Sequence, residues 1–271
     1  MNKLLVRTLS GIIFVLIVLG LIIWSEYSMV ALVLIIFALA LFEFRRMFRQ
    51  NDRLLFTVLL TTGLLTLSTA YLFITGFIGL HMIAIIAGSI LLILALHYLV
   101  ISNTSIRETG PGLFITLWLT GSLIFFMALG WIREPGNYDP AFLVILLSLI
   151  WVFDAAAYIF GSLFGKTQIA PSVSPGKTLE GLVSGMMFTA LAGYIIFRLT
   201  SEFTALQWVM IGCVVGLGAT AGDLFESKLK REAGVKDSGQ IIPGHGGILD
   251  RFDSLLFTAP LFYIVILILK S

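Results

Sequence analysis

The stretch Gly222–Ser254 reads GDLFESKLKREAGVKDSGQIIPGHGGILDRFDS and lies between two long apolar runs. It holds six acidic residues (Asp223, Glu226, Glu232, Asp237, Asp250, Asp253), five basic ones (Lys228, Lys230, Arg231, Lys236, Arg251), His245 and six glycines. Charge this dense between membrane-grade runs is costly unless it meets water or does chemistry, so the stretch is the first candidate for a functional site. It also decides the fold, because a chain that carries such a segment between two apolar runs must cross a membrane on either side of it.

The rest of the chain agrees. It has 271 residues, of which 59% are hydrophobic and 12% charged, where a soluble domain carries roughly 25% charge. Mean hydropathy is +1.05. A span needs about 20 mainly apolar residues, and nine candidates are present: Leu9–Trp24, Met29–Phe44, Leu54–Thr75, Leu80–Ile101, Leu113–Ile132, Ala141–Phe164, Leu179–Leu199, Leu206–Lys230 and Phe252–Lys270. The weakest boundary is Thr75-Gly76-Phe77-Ile78-Gly79; without it the third and fourth spans would fuse into one overlong helix. The pattern predicts an all-α polytopic membrane protein, with about five helices over 1–135 and about four over 136–271. Lys3 and Arg7 before the first run resemble a signal peptide, but no small-residue cleavage site follows, so a retained first helix is expected. Cys213 is the single cysteine, which excludes an internal disulfide.

Nine spans put the termini on opposite sides. One side then collects Lys3, Arg7, Arg45, Arg46, Arg49, Arg53, Arg107, Lys166, Lys177, Lys228, Lys230, Arg231, Lys236 and Arg251, and the other only Arg133, Arg198 and Lys270. The positive-inside rule predicts a cytoplasmic N-terminus and an outside C-terminus. Every polar motif falls on the cytoplasmic side, so a water-soluble ligand would be cytosolic.

Three constellations could carry chemistry. In the sixth span, DAAAYIFGSLFGK places Asp154, Tyr158, Gly161 and Gly165 on one helix face by spacings of three and four. A carboxylate there faces a polar cavity, or makes a structural hydrogen bond while the glycines let helices pack closely. The second is PSVSPGKTLEG, 171–181, a polar loop feeding the seventh span. Free N–H groups, Lys177 and the hydroxyls of Ser174 and Thr178 would seat an anion; the alternative is an ordinary loop with Ser174 or Thr178 as helix cap. It lacks the spacing of a P-loop.

The third is the opening stretch. Asp223, Glu226, Ser227 and Lys230 share one face of the eighth span, and Asp250 and Asp253 open the ninth. Carboxylates at a helix start can simply cap it. Three of them from two helix ends, near lysines and arginines, also suit a hard divalent cation such as Mg²⁺. The loop between carries His245, which could donate to phosphate, ligate metal or be structural. His81 and His97 read as packing residues. Gly212, Gly216, Gly218 and Gly222 have the spacing of a tight helix contact, within the chain or in a homodimer.

The inventory has no Ser-His-Asp set, zinc motif or redox fingerprint. Carboxylates, cations and glycine loops suit phosphoryl or nucleotidyl transfer, and the membrane setting suggests a lipid substrate. SKLKR at 227–231, Lys236-Asp237 and PGHGGILDRFD at 243–253 resemble the signature of the phosphatidate cytidylyltransferase (CDP-diacylglycerol synthase) family, and DAAAY…FGK and SPGKTLEG match it in the same order. The resemblance covers the C-terminal half; the earlier spans match only as hydrophobic helices.

What the resemblance implies is CTP plus phosphatidate giving CDP-diacylglycerol and pyrophosphate, in a bacterial inner membrane, with CTP, phosphatidate and membrane lipids as partners and no nucleic acid. Asp223, Asp250 and Asp253 would hold Mg²⁺, with K⁺ beside it, and Lys177 would complete the catalytic set. Asp154, Tyr158, Ser174, Thr178, Glu226, Lys230, Arg231, Lys236, Asp237, His245 and Arg251 would contact substrate. A CTP-dependent lipid kinase and an ion-coupled transporter are the rival readings. The first would release CDP, and the second would show broken helices in paired halves.

Overall fold

The structure is a computed structural model and describes residues 3–50, 52–96, 106–134, 136–239, 241 and 246–271. Nine α-helices occur among the described residues: α1 (Lys3–Trp24), α2 (Glu26–Met47), α3 (Arg53–Ile74), α4 (Leu80–Leu96), α5 (Ile106–Ala128), α6 (Ala141–Phe164), α7 (Leu179–Leu199), α8 (Ala205–Glu232) and α9 (Leu249–Lys270). Seven are long and apolar enough to cross a membrane, and two shorter apolar stretches, Leu9–Trp24 and Leu80–Ala95, lie in α1 and α4. The chain is an all-α integral membrane protein. The doubtful break is real: α3 ends at a Thr75 cap, and Gly76 turns the chain at a φ of 79°, which glycine adopts without cost. His97 and the expected end of the fourth span at Ile101 lie outside the described residues.

Helix starts follow from polar side chains that accept the first free N–H groups. Ser25 and Thr204 form capping boxes with Ser28 and Gln207, and Asp52 accepts from the Leu55 N–H at 2.9 Å. Because Ser25 caps it, α2 begins three residues before the expected Met29. α9 likewise begins at Leu249 rather than Phe252, which puts Asp250 in its first turn.

The chain forms two compact units, Met1–Pro140 with Gly239–Ile248, and Ala141–Ser238 with Leu249–Ser271. In the first, α2 packs on α1, α3 and α5, and α3 on α4 and α5. Gly63 leaves room for the Phe37 ring, and the Tyr138 hydroxyl donates to the Ile22 carbonyl at 2.6 Å, satisfying an acceptor left open at the end of α1.

In the second unit, α6 through α9 pack as successive antiparallel neighbours. Gly181 of α7 lies against Ala157 and Gly161 of α6, and Gly185 against Phe153 and Ala157. Gly193 and Gly212 bring α7 and α8 together at Trp208 and Thr189; Gly218 and Gly222 do the same for α8 and α9 at Thr258 and Asp253. Small residues allow such backbone approach where no hydrophobic force drives helices together. The glycine stripe of α8 is therefore used inside the unit: Gly212 meets α7, Gly216 meets Phe153 and Met186, and Gly218 and Gly222 meet α9. Val183, Met187, Leu191 and Ile195 run down the open side of α7 as an exposed apolar face.

Between α6 and α7 the expected polar loop is a two-stranded antiparallel hairpin, β1 (Gln168–Ala170) and β2 (Ser174–Thr178). It is the one departure from an all-helical chain among the described residues. Glu180 makes it: its carboxylate accepts from the Lys166 and Thr167 N–H groups at 3.0 and 3.1 Å and from the Thr167 hydroxyl at 3.0 Å.

Candidate active site

The antiparallel order of the second unit brings the C-terminal ends of α6 and α8 and the N-terminal ends of α7 and α9 to one end. The hairpin delivers Lys177 to that end, where its ammonium pairs with Asp223 of α8. Asp154 of α6 and Asp253 of α9 also act electrostatically on Lys177. Asp253 feels Asp223, Asp154 and Lys177 in turn, and Asp154 feels Arg251 as well. One carboxylate thus pairs with the Lys177 ammonium, and two more from other helices act on it electrostatically. Burial works against the Lys177 charge, but the surrounding carboxylates outweigh it and hold its pKa above the ordinary lysine value, so it is charged at neutral pH. Ser227 sits one turn beyond Asp223 and donates to it at 3.4 Å.

The polar face expected on α8 divides into two clusters. Its second half belongs to Asp250, which accepts from the Lys230 ammonium at 2.7 Å and from the Ser238 N–H and hydroxyl at 3.1 and 2.9 Å. Lys230 also pairs with Glu226, which is 2% exposed. The Asp250 oxygens are thus engaged by Lys230 and Ser238, whereas Asp223 pairs with Lys177 and Asp253 acts on it. Among the described residues no group of three or more His, Cys, Asp or Glu is drawn close enough to hold a metal ion alone. Lys230 is shared between Glu226 and Asp250, so these three groups are engaged with one another.

The seventh-span start also differs from an open anion seat. The Thr178 hydroxyl caps α7 by accepting from the Gly181 N–H at 3.2 Å, and the Leu179 N–H donates to the Thr167 carbonyl at 2.8 Å. Two N–H groups of the first turn are thereby occupied. Ser174 lies in β2, paired with Ala170. Gly161 and Gly165 face Thr178 and Gly181, where a Cβ on Gly165 would strike the Gly161 carbonyl, so these glycines serve close packing. Tyr158 does not share the polar cluster with Asp154: it is 78% exposed, beside exposed Ile159.

Arg231 ties the end of α8 to the hairpin by donating to the Val173 carbonyl at 3.3 Å. Lys236, Asp237 and Arg251 are exposed. His245 lies outside the described residues.

Two carboxylates, one in each unit, escaped the sequence reading. Glu180 looked like an ordinary first-turn acid, and only the hairpin shows its three hydrogen bonds. Glu43 lies in the second span and is 2% exposed; an acid inside an apolar run was the available signal.

Fold and site together define a polytopic membrane protein whose charged residues converge at one end of a four-helix unit. The chain belongs to the Cytidylyltransferase family, whose family model matches residues 5–269. It is 44% identical over 140 residues to the phosphatidate cytidylyltransferase of Synechocystis sp., covering 50% of this chain and 47% of that protein. To the phosphatidate cytidylyltransferase of Thermotoga maritima it is 40% identical over 141 residues, 50% of this chain and 52% of the relative. The uncharacterized protein YnbB of Escherichia coli is 46% identical over 120 residues, 44% of this chain and 40% of the relative. The chain spans about half the length of the curated relatives it matches.

Proposed function

We propose that this protein is a phosphatidate cytidylyltransferase. A phosphatidate oxygen attacks the α-phosphorus of CTP and forms a new P–O bond. The bond from that phosphorus to the β-phosphate bridge breaks, and pyrophosphate leaves with the electron pair. CDP-diacylglycerol remains in the membrane. The observation that carries the reading is the Lys177–Asp223 pair beside Asp154 and Asp253, built from segments that match the family.

The nucleophile is already a phosphate oxygen, so the protein need not supply a strong base; the barrier is bringing two polyanions together. Lys177, fixed on β2, neutralises phosphate oxygens. Arg251 and Lys236, both exposed, add positive charge at the same end of the unit. Asp154 adds electrostatic attraction that favours the charged form of Lys177.

The donor set also suits Mg²⁺. Three carboxylates act electrostatically on one ammonium, and Mg²⁺ usually takes only one or two carboxylates, with water and substrate phosphates completing its shell. Asp223 and Asp253 would hold it, and when bound it would neutralise charge on the departing pyrophosphate. K⁺ as a second cation remains part of the proposal without an assigned residue set.

Cytosolic CTP and the charge asymmetry of the chain support a cytoplasmic site, a cytoplasmic N-terminus and a bacterial inner membrane. The test is purified full-length protein with phosphatidate and CTP, with and without Mg²⁺. The reading expects Mg²⁺-dependent pyrophosphate in step with CDP-lipid; release of CDP instead overturns it in favour of a lipid kinase.

A further inference from the structure

The turn between α2 and α3, in the first unit, is bordered by Arg45, Arg46, Arg49 and Arg53. Both helices are long and apolar enough to span, so the turn lies at a membrane surface. The acids beside these arginines in sequence have other partners. Glu43 is 2% exposed and accepts from the Ile248 N–H at 2.9 Å, and Asp52 caps α3. Among the described residues no ion pair neutralises any of the four arginines.

Arg45 is held in place. Its Nε donates to the Gln50 carbonyl at 3.1 Å, and its guanidinium lies over the Phe56 ring, 4.5 Å from the centroid. Its two terminal nitrogens make no hydrogen bond among the described residues. A guanidinium fixed by a ring and a backbone acceptor, with its terminal N–H groups left over, is preorganised for a phosphate. Phe42 stands edge-on to Phe56, with centroids 6.5 Å apart. It is exposed, as is Leu54. Arg46 follows Phe42 by four positions and Arg53 precedes Phe56 by three, so each shares a helix face with one of the two rings. Arg45, Arg46 and Arg53 therefore border one apolar patch.

Arg49 closes α2. The Gln50 N–H donates to the Arg45 carbonyl at 3.0 Å, and Arg49 has a φ of 52°, at a position where helices usually place glycine. An arginine there is strained, and such strain marks a residue whose side chain has a use. The side chain is exposed and adds a fourth cation. We propose that this turn binds the phosphate of an anionic phospholipid as a boundary lipid of the first unit. The guanidiniums take the headgroup, and Phe42, Phe56 and Leu54 take the start of the acyl chains. A soluble phosphate would use the guanidiniums alone, whereas a phospholipid also covers the apolar patch.

The site lies wholly in the first unit, so the inference does not depend on the transfer reaction. The test uses the full chain, purified and stripped of lipid in detergent, without CTP. Thermal midpoint is followed as phosphatidylglycerol or phosphatidylcholine is added to the micelles. Phosphatidylglycerol should raise the midpoint at a lower fraction than phosphatidylcholine, and the difference should shrink with added salt. Arg45→Gln and Arg53→Gln should each raise the half-saturating phosphatidylglycerol fraction by about fivefold, the worth of one arginine at an anionic surface. Arg49→Gly should raise it similarly yet increase the midpoint without lipid, because glycine relieves the left-handed strain. A purely structural arginine would not give these opposite signs, and Arg49→Gly keeps the inference testable if Arg45→Gln does not fold. Arg198→Gln, which removes an exposed arginine of the second unit, should leave the fraction at the wild-type value. The inference is overturned if the wild type does not distinguish the two lipids, or if the turn variants keep its half-saturating fraction. It is also overturned if Arg198→Gln shifts that fraction as much as they do, or if inorganic phosphate alone gives the same gain in midpoint.

Discussion

The Lys177 ammonium on β2 pairs with the Asp223 carboxylate on α8, so the hairpin between α6 and α7 delivers its cation to a helix that begins only at Ala205. Without the hairpin Lys177 would be one of many lysines near a membrane surface; with it, Lys177 is the fixed charge among Asp154, Asp223 and Asp253.

Neutralising Asp223 removes that pairing and one carboxylate at once. Asp223→Asn should lower kcat/KM by a factor on the order of 10²–10³, the loss typical of one preorganised electrostatic group. Lys177→Ala should cost a similar factor and also lower the thermal midpoint, because three carboxylates then face one another without their cation. Initial rates with CTP and thermal unfolding in detergent measure both effects.

Asp253 and Asp250 stand three positions apart in the signature yet have different surroundings. Asp250 is held by Lys230 and Ser238, whereas Asp253 stands with Asp223 and Asp154. Asp253→Asn should raise the Mg²⁺ concentration needed for half-maximal rate. Asp250→Asn should leave that concentration near wild type and reduce stability instead, and its effect should be non-additive with Lys230→Met, as expected for groups in one ion-pair network. A magnesium titration of the two single variants separates the roles.

At Gly222 α8 touches the backbone of α9, and a Cβ would strike the Asp253 carbonyl. Backbone cannot yield as a flexible side chain can. Gly222→Leu should destabilise by about 1–3 kcal/mol or more, the usual cost of overpacking, and should reduce activity further than its stability loss explains, because Asp253 moves with α9. Comparing the shift in thermal midpoint with residual activity at a temperature where the variant stays folded checks this.

Glu180→Ala frees the Lys166 and Thr167 N–H groups and unpins the hairpin. The expected result is a lower kcat/KM for CTP with little change in thermal midpoint, since the hairpin is short and exposed. Limited proteolysis between residues 165 and 178 should become faster in this variant than in wild type.

The helices were legible because each carries a run of apolar residues, four of them opened by a polar cap, and even the weak break at Gly76 was marked by its glycines. The convergence of Asp154, Lys177 and Asp223 was legible only as three separate charged motifs; which ones meet depends on antiparallel packing that glycine spacing allows but does not direct. Spacing left the partners of Asp250 unread, because a position i, i+3 from Asp253 says nothing about the Lys230 ammonium arriving from another helix. It misled at Tyr158, which shares a nominal face with Asp154 but is turned outward. The hairpin was hidden for another reason: its strands are three and five residues long and depend on Glu180, a residue that follows them in the chain.

The central claim is transfer of the α-phosphoryl group with its nucleoside to a lipid. Purified protein should be given phosphatidate and CTP labelled either at the α- or at the γ-phosphate, and the lipid extracted. The account predicts α-label in the lipid fraction and γ-label in pyrophosphate, with both signals lost in Asp223→Asn. Label from the γ-phosphate in the lipid, or α-label that stays entirely in water-soluble CDP, would contradict it.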